Sequence, residues 1–291
     1  MAKISPGGPG ITRVFPTSLS GGGGGDLKWQ EAISVDWTGV SHNFETTAAK
    51  TIGGIEWKCL NNGADIQTGG LISGDSGTGL RIWPAGNEQI WTTQIDSPMV
   101  TVLVGDAVGA KTTYDMNKHA VCFQCTLTAT QDISTQWNQI GALVMNSVVG
   151  SNESAARYFN ACGFSSNNSD AQVPSVRSRT AEYNLDISAS TGSGDSSLAQ
   201  RNFFQLIIWP GQNYIGTIVG AMGAMPGSGD FPDPNDWTPL YTGAYPLCTK
   251  ADSGSFTTDN MRFAMSSCSG GAGTDPNPIF TKCRVMYMEM F

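Results

Sequence analysis

The chain offers few residue pairs for acid–base chemistry. Glycoside hydrolysis needs two carboxylates on either side of one bond, and most of the 24 Asp and Glu residues fall in Gly, Pro or Asn turns. Glu182 and Asp186 are four residues apart, which on a strand gives the same face but a wide separation. We interpret them as solvated carboxylates of turns and strand edges. We expect no catalytic residues, and we expect that the protein is not an enzyme.

Histidine and cysteine chemistry is equally restricted. A Ser-His-Asp or Cys-His arrangement must use His42 or His119, the two histidines of the chain. His119 begins a strand pattern two residues after Asn117, and we interpret it as an exposed strand-end histidine rather than a general base. Cys122 and Cys125 have the C-x-x-C spacing, but side chains three residues apart on a strand point to opposite faces. No second such pair completes a zinc site, so we expect no metal there.

Residues 225–239 are rich in proline and cannot form regular structure. Their closely spaced oxygen-bearing side chains are those of Asp230, Asp233, Asn235 and Asp236. Such ligands suit calcium. The same residue types are ordinary turn formers, so we favour a turn and expect no metal or other cofactor.

Trp237 lies near the end of this segment, and Tyr241 and Tyr245 follow it. They either form an aromatic platform for a sugar, or pack against the loop or a neighbouring subunit.

We expect β-strands to hold these residues in place. Two apolar, β-rich runs flank a Pro-Gly turn signal within residues 201–219, which predicts a hairpin whose first strand is central and buried on both faces. Residues 120–128 alternate between apolar and mostly polar positions, which predicts a half-buried strand. We expect residues 137–145 to pair with it. Further strands are predicted at 52–60, 79–83, 99–104, 156–164, 175–184, 261–268 and 282–291.

Together these strands predict an all-β fold, an antiparallel two-sheet β-sandwich that occupies residues 29–291. Residues 1–28 form an extended, Gly/Pro-rich N-terminal arm. The arm contains a run of glycines at 21–25 and a short apolar patch, Ile11, Val14 and Phe15. It is either a disordered tail or an anchor that docks on another subunit.

Composition excludes several classes of partner. The formal net charge of −8, without any basic run, argues against nucleic acid. The glycine-rich residues 69–79 contain no Lys, so we expect an ordinary loop there rather than a phosphate-binding one.

No signal peptide or membrane span is evident. The seven cysteines are irregularly spaced, and we expect them to be reduced, mostly buried thiols in a protein made in a cytoplasm.

Several stretches together resemble one known sandwich. They are GLRIWP (79–84), MVTVLV (99–104), the strand pair within 121–145, FFQLIIWPGQNYIGTIVG (203–220), MRFAMSS (261–267) and CRVMYMEMF (283–291). Over residues 53–291 the chain resembles the concanavalin A-like lectin/glucanase family, a jelly roll of two large antiparallel sheets. That family includes glycosidases, sugar-binding lectins that often use calcium, and phage or viral virion proteins. The acidic E-x-D-x-E strand of its glucanases is missing from this sequence.

Three features favour a non-catalytic virion structural protein: the arm without a secretion signal, the lack of any catalytic arrangement, and a single sandwich that occupies nearly everything after the arm. It would be a phage capsid decoration (cement) or fibre protein that attaches through its N-terminal arm and is assembled in the host cytoplasm. Expected partners are further copies of the chain and other virion proteins of the capsid or tail, with no nucleic acid and no membrane. The alternative is a carbohydrate-binding, lectin-like module whose partner is a glycan.

Overall fold

The computed structural model describes part of the chain. The described backbone covers residues 28–43, 50–61, 71–75, 78–83, 101–106, 118–129, 139–146, 159–166, 172–179, 184–188, 202–209, 217–223, 225–237, 241–246, 261–268 and 278–290. Residues 1–27, which include nearly all of the predicted arm, lie outside it, as do Asn117 and Glu182.

The described residues form β-strands, apart from loops and one short 3-10 helix at Trp37–Gly39. In chain order the strands are β1 Gln30–Asp36, β2 His42–Asn43, β3 Lys50–Ile52, β4 Ile55–Asn61, β5 Leu71–Asp75, β6 Gly79–Trp83, β7 Thr101–Asp106, β8 His119–Ala129, β9 Gln139–Asn146, β10 Phe159–Ser166, β11 Gln172–Arg179, β12 Asn184–Ser188, β13 Phe203–Trp209, β14 Thr217–Gly223, β15 Tyr241–Pro246, β16 Met261–Cys268 and β17 Ile279–Glu289. The predicted all-β class is confirmed. No helix among these residues is long and apolar enough to span a membrane.

The strands form two antiparallel sheets. In sheet A the order is β15-β14-β13-β8-β17-β6-β5-β2, and β1 lies beside β6 along the same edge of β17. In sheet B the order is β12-β11-β10-β9-β16-β7-β4-β3. The C-terminal strand β17 is therefore paired along both edges, with β8 on one side and β1 and β6 on the other.

The main core lies between the two sheets. Phe123 of β8 packs against Phe263 of β16, with 5.1 Å between ring centroids. Trp37, which follows β1, meets Trp57 of β4 edge to face at 5.0 Å. These four rings are fully or almost fully buried. They identify one face of sheet A as the inner face, which contacts sheet B.

The predicted hairpin at 201–219 is confirmed. Strands β13 and β14 pair antiparallel from Phe203↔Gly223 to Trp209↔Thr217, and the other edge of β13 pairs with β8. Residues 203–208 are all buried, as the continuous apolar run predicts. The strand predicted at 261–268 is also confirmed, with the same limits.

Two pairing predictions are wrong. Residues 139–146 form β9 in sheet B, between β10 and β16, and do not pair with β8. The connection between β8 and β9 is too long to act as a tight hairpin turn, so chain order alone does not pair them. The predicted strand 52–60 is in fact a hairpin of β3 and β4, with Gly53 and Gly54 at positive φ of 62° and 86° in its turn.

Three more predictions need correction. The sequence predicts a loop at 69–79, but Leu71–Asp75 is strand β5. This segment has only a weak apolar pattern, and its hydrogen bonds to β6 make it a strand. The predicted strand 175–184 is two strands, β11 and β12. Strand β8 is buried on both faces at residues 121–127, not half-buried, because its second face is covered as well.

Candidate functional site

The candidate site is the outer face of sheet A, which points away from sheet B. On β8 this face carries the even-numbered residues that the sequence pattern assigned to the polar side. The strand register places Gln124 between Gln205 of β13 and Arg284 of β17, in one row across three strands. We call these three residues the polar row. A second row, Phe203–Thr126–Lys282, lies beside it.

Hydrogen bonds join the members of the polar row. Gln124 Nε2 donates to Gln205 Oε1 at 2.5 Å, and Arg284 Nε donates to Gln124 Oε1 at 2.5 Å. Gln124 is fully buried and Gln205 is 2% exposed. Buried amides of this kind are tolerated only where their donors and acceptors are used.

Residues 225–237 lie over the polar row, and we call them the covering loop. Arg284 Nη2 donates to the carbonyl oxygen of Pro232 at 2.6 Å, and Gln124 Nε2 donates to the same oxygen at 3.2 Å. Gln205 Nε2 donates to the carbonyl of Pro234 at 3.4 Å. The polar row thus binds main-chain carbonyls of an irregular loop, whose polar groups would otherwise be left unpaired.

Two contacts hold the beginning of the covering loop. Lys282 Nζ donates to the carbonyl of Gly229 at 3.0 Å. Asn202, just before β13, accepts at Oδ1 from the backbone N–H of Met225 at 2.9 Å. The beginning of the loop is therefore fixed by a side chain of β17 and by the residue that precedes β13.

Arg284 is the centre of this arrangement. Its guanidinium lies 5.0 Å from the ring centroid of Phe231 and forms an ion pair with Glu31 of β1, with 3.7 Å between Nη1 and Oε2. Burial lowers the pKa of Arg284 from its ordinary 12.5, while nearby Cys122, Glu31 and Asp233 oppose that shift. An arginine stays protonated under such shifts, so the carbonyl of Pro232 accepts from a cation.

Aromatic packing accounts for Trp237. Its ring meets Phe203 edge to face, with 4.6 Å between centroids, and Phe231 contacts the same Phe203 at 5.8 Å. Of the alternatives predicted for Trp237, the ring packs within its own chain and keeps part of its surface exposed. The side chains of Tyr241 and Tyr245 lie outside the described residues.

The acidic residues of the covering loop take part in turns. Asp233 Oδ1 accepts from the N–H of Asn235 at 2.8 Å. The carbonyl of Asp233 accepts from the N–H groups of Asp236 and Trp237 at 3.0 and 3.2 Å. The N–H of Asp230 donates to Ser228 Oγ at 3.3 Å. In the part of the chain that the structure describes, no cluster of three or more His, Cys, Asp or Glu could hold a metal ion.

His119 is not the exposed histidine that the sequence suggested. It is 7% exposed and lies beside Tyr287, with 6.1 Å between ring centroids. The reason is that β17 pairs with β8 as far as Glu289, opposite His119, and Met290 N donates to the carbonyl of Lys118. The continuation of the C-terminal strand therefore covers the strand end.

The other candidate residues do not come together with His119. Asp186 belongs to β12 in sheet B, opposite Arg177 in the register, and only its backbone is described. His42 belongs to β2, and its side chain also lies outside the described residues.

The other half of the outer face is apolar. Its buried members are Trp29, Ala120, Cys122, Ile207, Met286 and Met288, and Trp209 and Met290 pack against them partly buried. Trp29 and Trp209 meet edge to face at 6.0 Å. We call this group the apolar cluster. Trp29 was not singled out from the sequence, although a tryptophan directly before a strand is a signal for such packing.

The two cysteines of the C-x-x-C spacing point to opposite faces, as predicted. Cys122 belongs to the apolar cluster on the outer face, and Cys125 lies on the inner face. Both are buried thiols, as is Cys283 of β17. Burial raises the pKa of Cys122 far above its ordinary value, and it raises that of Cys283 to about 12.

Neither a protein-family model nor a curated protein sequence matches this chain. Among solved structures it is similar to the endo-1,3-beta-glucanase from Streptomyces sioyaensis, with 10% identity, a TM-score of 0.49, and coverage of 92% of this chain and 100% of that one. It is also similar to the CBM2 module of the evolved Dit of Lactobacillus casei BL23 phage J-1, with 9% identity, a TM-score of 0.43, and coverage of 91% and 98%. Lectin I-B4 from Griffonia simplicifolia matches with 11% identity, a TM-score of 0.42, and coverage of 85% and 99%. These likenesses concern the arrangement of strands.

Proposed function

We propose that this chain is a non-catalytic structural protein of a virus particle, a phage capsid decoration or fibre protein that attaches through its N-terminal arm. The observation that carries the proposal is the anchoring of the arm at its end. Trp29, the first residue after the arm, is 8% exposed and packs in the apolar cluster against Trp209, Met286 and Met288. This packing fixes the end of the arm to the sandwich, so that binding through the arm would hold the whole domain.

The strand after the junction strengthens it. Strand β1 pairs with β17 from Gln30↔Tyr287 to Asp36↔Lys282. Because β17 is paired along its other edge with β8, a pull on the arm loads two strand ladders along their length. The hydrogen bonds of an antiparallel ladder are perpendicular to the strands, so such a pull acts on many of them together.

The covered outer face supports a non-catalytic role. Substrate sites are concave and open to the ligand. Here the covering loop lies over the middle of three central strands, and its carbonyls already accept from Arg284, Gln124 and Gln205. The polar row supports the protein's own loop.

Charge supports attachment of the arm to a similar protein. Residues 1–25 contain Lys3 and Arg13 and no Asp or Glu, whereas the whole chain has a net charge of −8. A basic arm with the apolar residues Ile11, Val14 and Phe15 is complementary to an acidic neighbour, including a second copy of this chain. Such arms on one assembly add their binding through effective concentration.

Mass spectrometry of purified virus particles tests the proposal. We expect peptides of this chain in stoichiometric amounts in intact particles after high-salt washing. Recovery of the chain only from the soluble fraction of the infected host, with none in particles, would overturn a virion role.

A carbohydrate-binding module is the second candidate. The observation in its favour is that partly exposed Trp237 follows exposed Asn235 and Asp236 in the covering loop, which combines an aromatic ring with polar groups. A glycan array separates the two functions. We expect no binding, or weak binding that a calcium chelator does not change. Specific calcium-dependent binding that Asp233→Ala or Trp237→Ala abolishes would establish the sugar-binding function instead.

The non-catalytic part of the proposal has its own test. We expect no hydrolysis of polysaccharides by the protein, and no measurable turnover in variants in which Glu182, Asp186 or His119 is replaced. Saturable hydrolysis that is lost with one acidic residue would show that the protein is an enzyme.

A further inference from the structure

Two buried cysteines lie directly opposite each other in sheet A. The register of β8 and β17 pairs Cys125 with Cys283, within the regular part of the ladder that runs from Lys282↔Thr126 to Glu289↔His119. Cys125 is 0% exposed and Cys283 is 2% exposed. Both are present as thiols.

Their side chains share the inner face. Phe123, two residues before Cys125 on β8, points between the sheets towards Phe263. Cys283 accepts a hydrogen bond at Sγ from Nε1 of Trp37, at 3.3 Å, and Trp37 is part of the same inner core. The Cys283 sulfur is therefore held on the inner face, where the Cys125 side chain also lies.

The backbone spacing of such a pair suits a disulfide. Opposite residues of an antiparallel ladder have Cα atoms about 4.5 or 5.5 Å apart, according to their hydrogen-bonding position. Disulfides span Cα distances of about 4.4–6.8 Å. Both possible spacings fall within this range, so the Cα separation of the pair is one that a disulfide can span.

We propose that Cys125 and Cys283 are the site of a cross-strand disulfide that forms when the chain meets a small disulfide oxidant, such as oxidised glutathione. The thiolate of one cysteine attacks the glutathione disulfide and releases one glutathione thiol. The second cysteine then displaces the other glutathione from the mixed disulfide. In total the two protein thiols lose two electrons and two protons, one protein S–S bond forms, and two glutathione thiols are released.

The bond would tie the C-terminal strand to the centre of sheet A. It joins positions 125 and 283, which enclose a large part of the chain, so it would strongly restrict the unfolded state. The inference does not depend on the proposed virion function. Because both sulfurs are buried and the thiolate is the reactive form, exchange requires β17 to open from β8 or takes place during folding.

Refolding in a glutathione buffer tests the proposal. The full chain is unfolded in denaturant, then refolded with a mixture of reduced and oxidised glutathione, and its disulfides are mapped by peptide mass spectrometry. We expect one intramolecular link between Cys125 and Cys283, a loss of two hydrogens in mass, and a higher midpoint of thermal unfolding that reductant reverses.

Cys122 provides the matched control. It is also fully buried on β8, but its partner in the register is Met286, so it has no cysteine opposite it. Cys122→Ala should leave the link unchanged, whereas Cys125→Ala should abolish it and leave Cys283 reactive to alkylation after unfolding. A map in which Cys125 or Cys283 joins another cysteine, or in which both remain thiols after refolding, would overturn the proposal.

Discussion

Replacing Arg284 by methionine should release the covering loop. The variant keeps a long apolar stem but removes the hydrogen bonds to Pro232 and Gln124. A hydrogen bond that involves a charged group contributes about 1.5–3 kcal/mol. The ion pair with Glu31, whose side chain is 50% exposed, adds only about 0–1 kcal/mol. The contact with the Phe231 ring adds about 0.5–1 kcal/mol.

These terms do not add fully, because the carbonyl of Pro232 keeps its second donor, Gln124. Desolvation of the guanidinium, which lowers the pKa of Arg284, also reduces its net contribution. We therefore expect the free energy of unfolding to fall by about 3 kcal/mol for Arg284→Met, measured by urea denaturation. Lys282→Met is the matched control on the same strand and face. It removes one loop contact, to Gly229, and should cost about 1.5 kcal/mol, half of the loss expected for Arg284→Met.

Hydrogen exchange distinguishes loss of the loop from general destabilisation. In Arg284→Met the amides of residues 229–237 should exchange faster than those of β16, which is in the other sheet. Unchanged stability would contradict the reasoning. So would a loss of stability in which the loop amides keep their protection relative to β16, because the loop would then be held by other contacts.

Two further predictions concern buried thiols and tight turns. Since the pKa of Cys283 rises from 9.0 to about 12 on folding, the folded state keeps a proton that the unfolded state loses. The free energy of unfolding should therefore fall above pH 9, by about 1.4 kcal/mol per pH unit through this thiol. When the free energy of unfolding from urea denaturation is plotted against pH, its slope above pH 9 should be shallower by about that amount in Cys283→Ala. Gly79→Ala places a Cβ 2.5 Å from the Phe280 carbonyl oxygen at a φ of 114°, whereas Gly54→Ala at a φ of 86° meets no atom within 4 Å. Gly79→Ala should therefore cost at least about 2 kcal/mol more than Gly54→Ala in thermal or urea unfolding, and equal costs would show that the backbone moves freely at Gly79.

Local sequence patterns correctly predicted strands that do not depend on contacts with distant parts of the chain. The run FFQLIIW was assigned correctly to β13, because continuous apolar sequence requires burial on both faces. Strand β1 was missed, since QEAISVD has only a short apolar alternation and is stabilised by pairing with β17, far away in the sequence. The predicted pairing of β9 with β8 was wrong for a related reason, because long-range contacts decide which sheet a strand joins.

The polar row could not be predicted from alternation alone. Gln124 stands on the face of β8 that the pattern marks as solvent-exposed, yet it is fully buried. Only the loop that folds back over it, which begins about a hundred residues later, changes its environment. The irregular structure of the proline-rich loop was predicted. Once the register pairs Gln124 with Gln205, two glutamines side by side on central strands mark the surface that the loop covers.

A chain that lacks residues 1–25 shows whether the protein attaches to particles through its N-terminal arm. The deletion ends before Trp29, so β1 and the apolar cluster remain complete. We expect the melting temperature of the truncated protein to stay nearly unchanged, while its binding to particles that lack the protein, measured by co-sedimentation, falls at least about tenfold, which corresponds to about 1.4 kcal/mol. Truncated protein that co-sediments with particles as well as the full chain would contradict attachment through the arm.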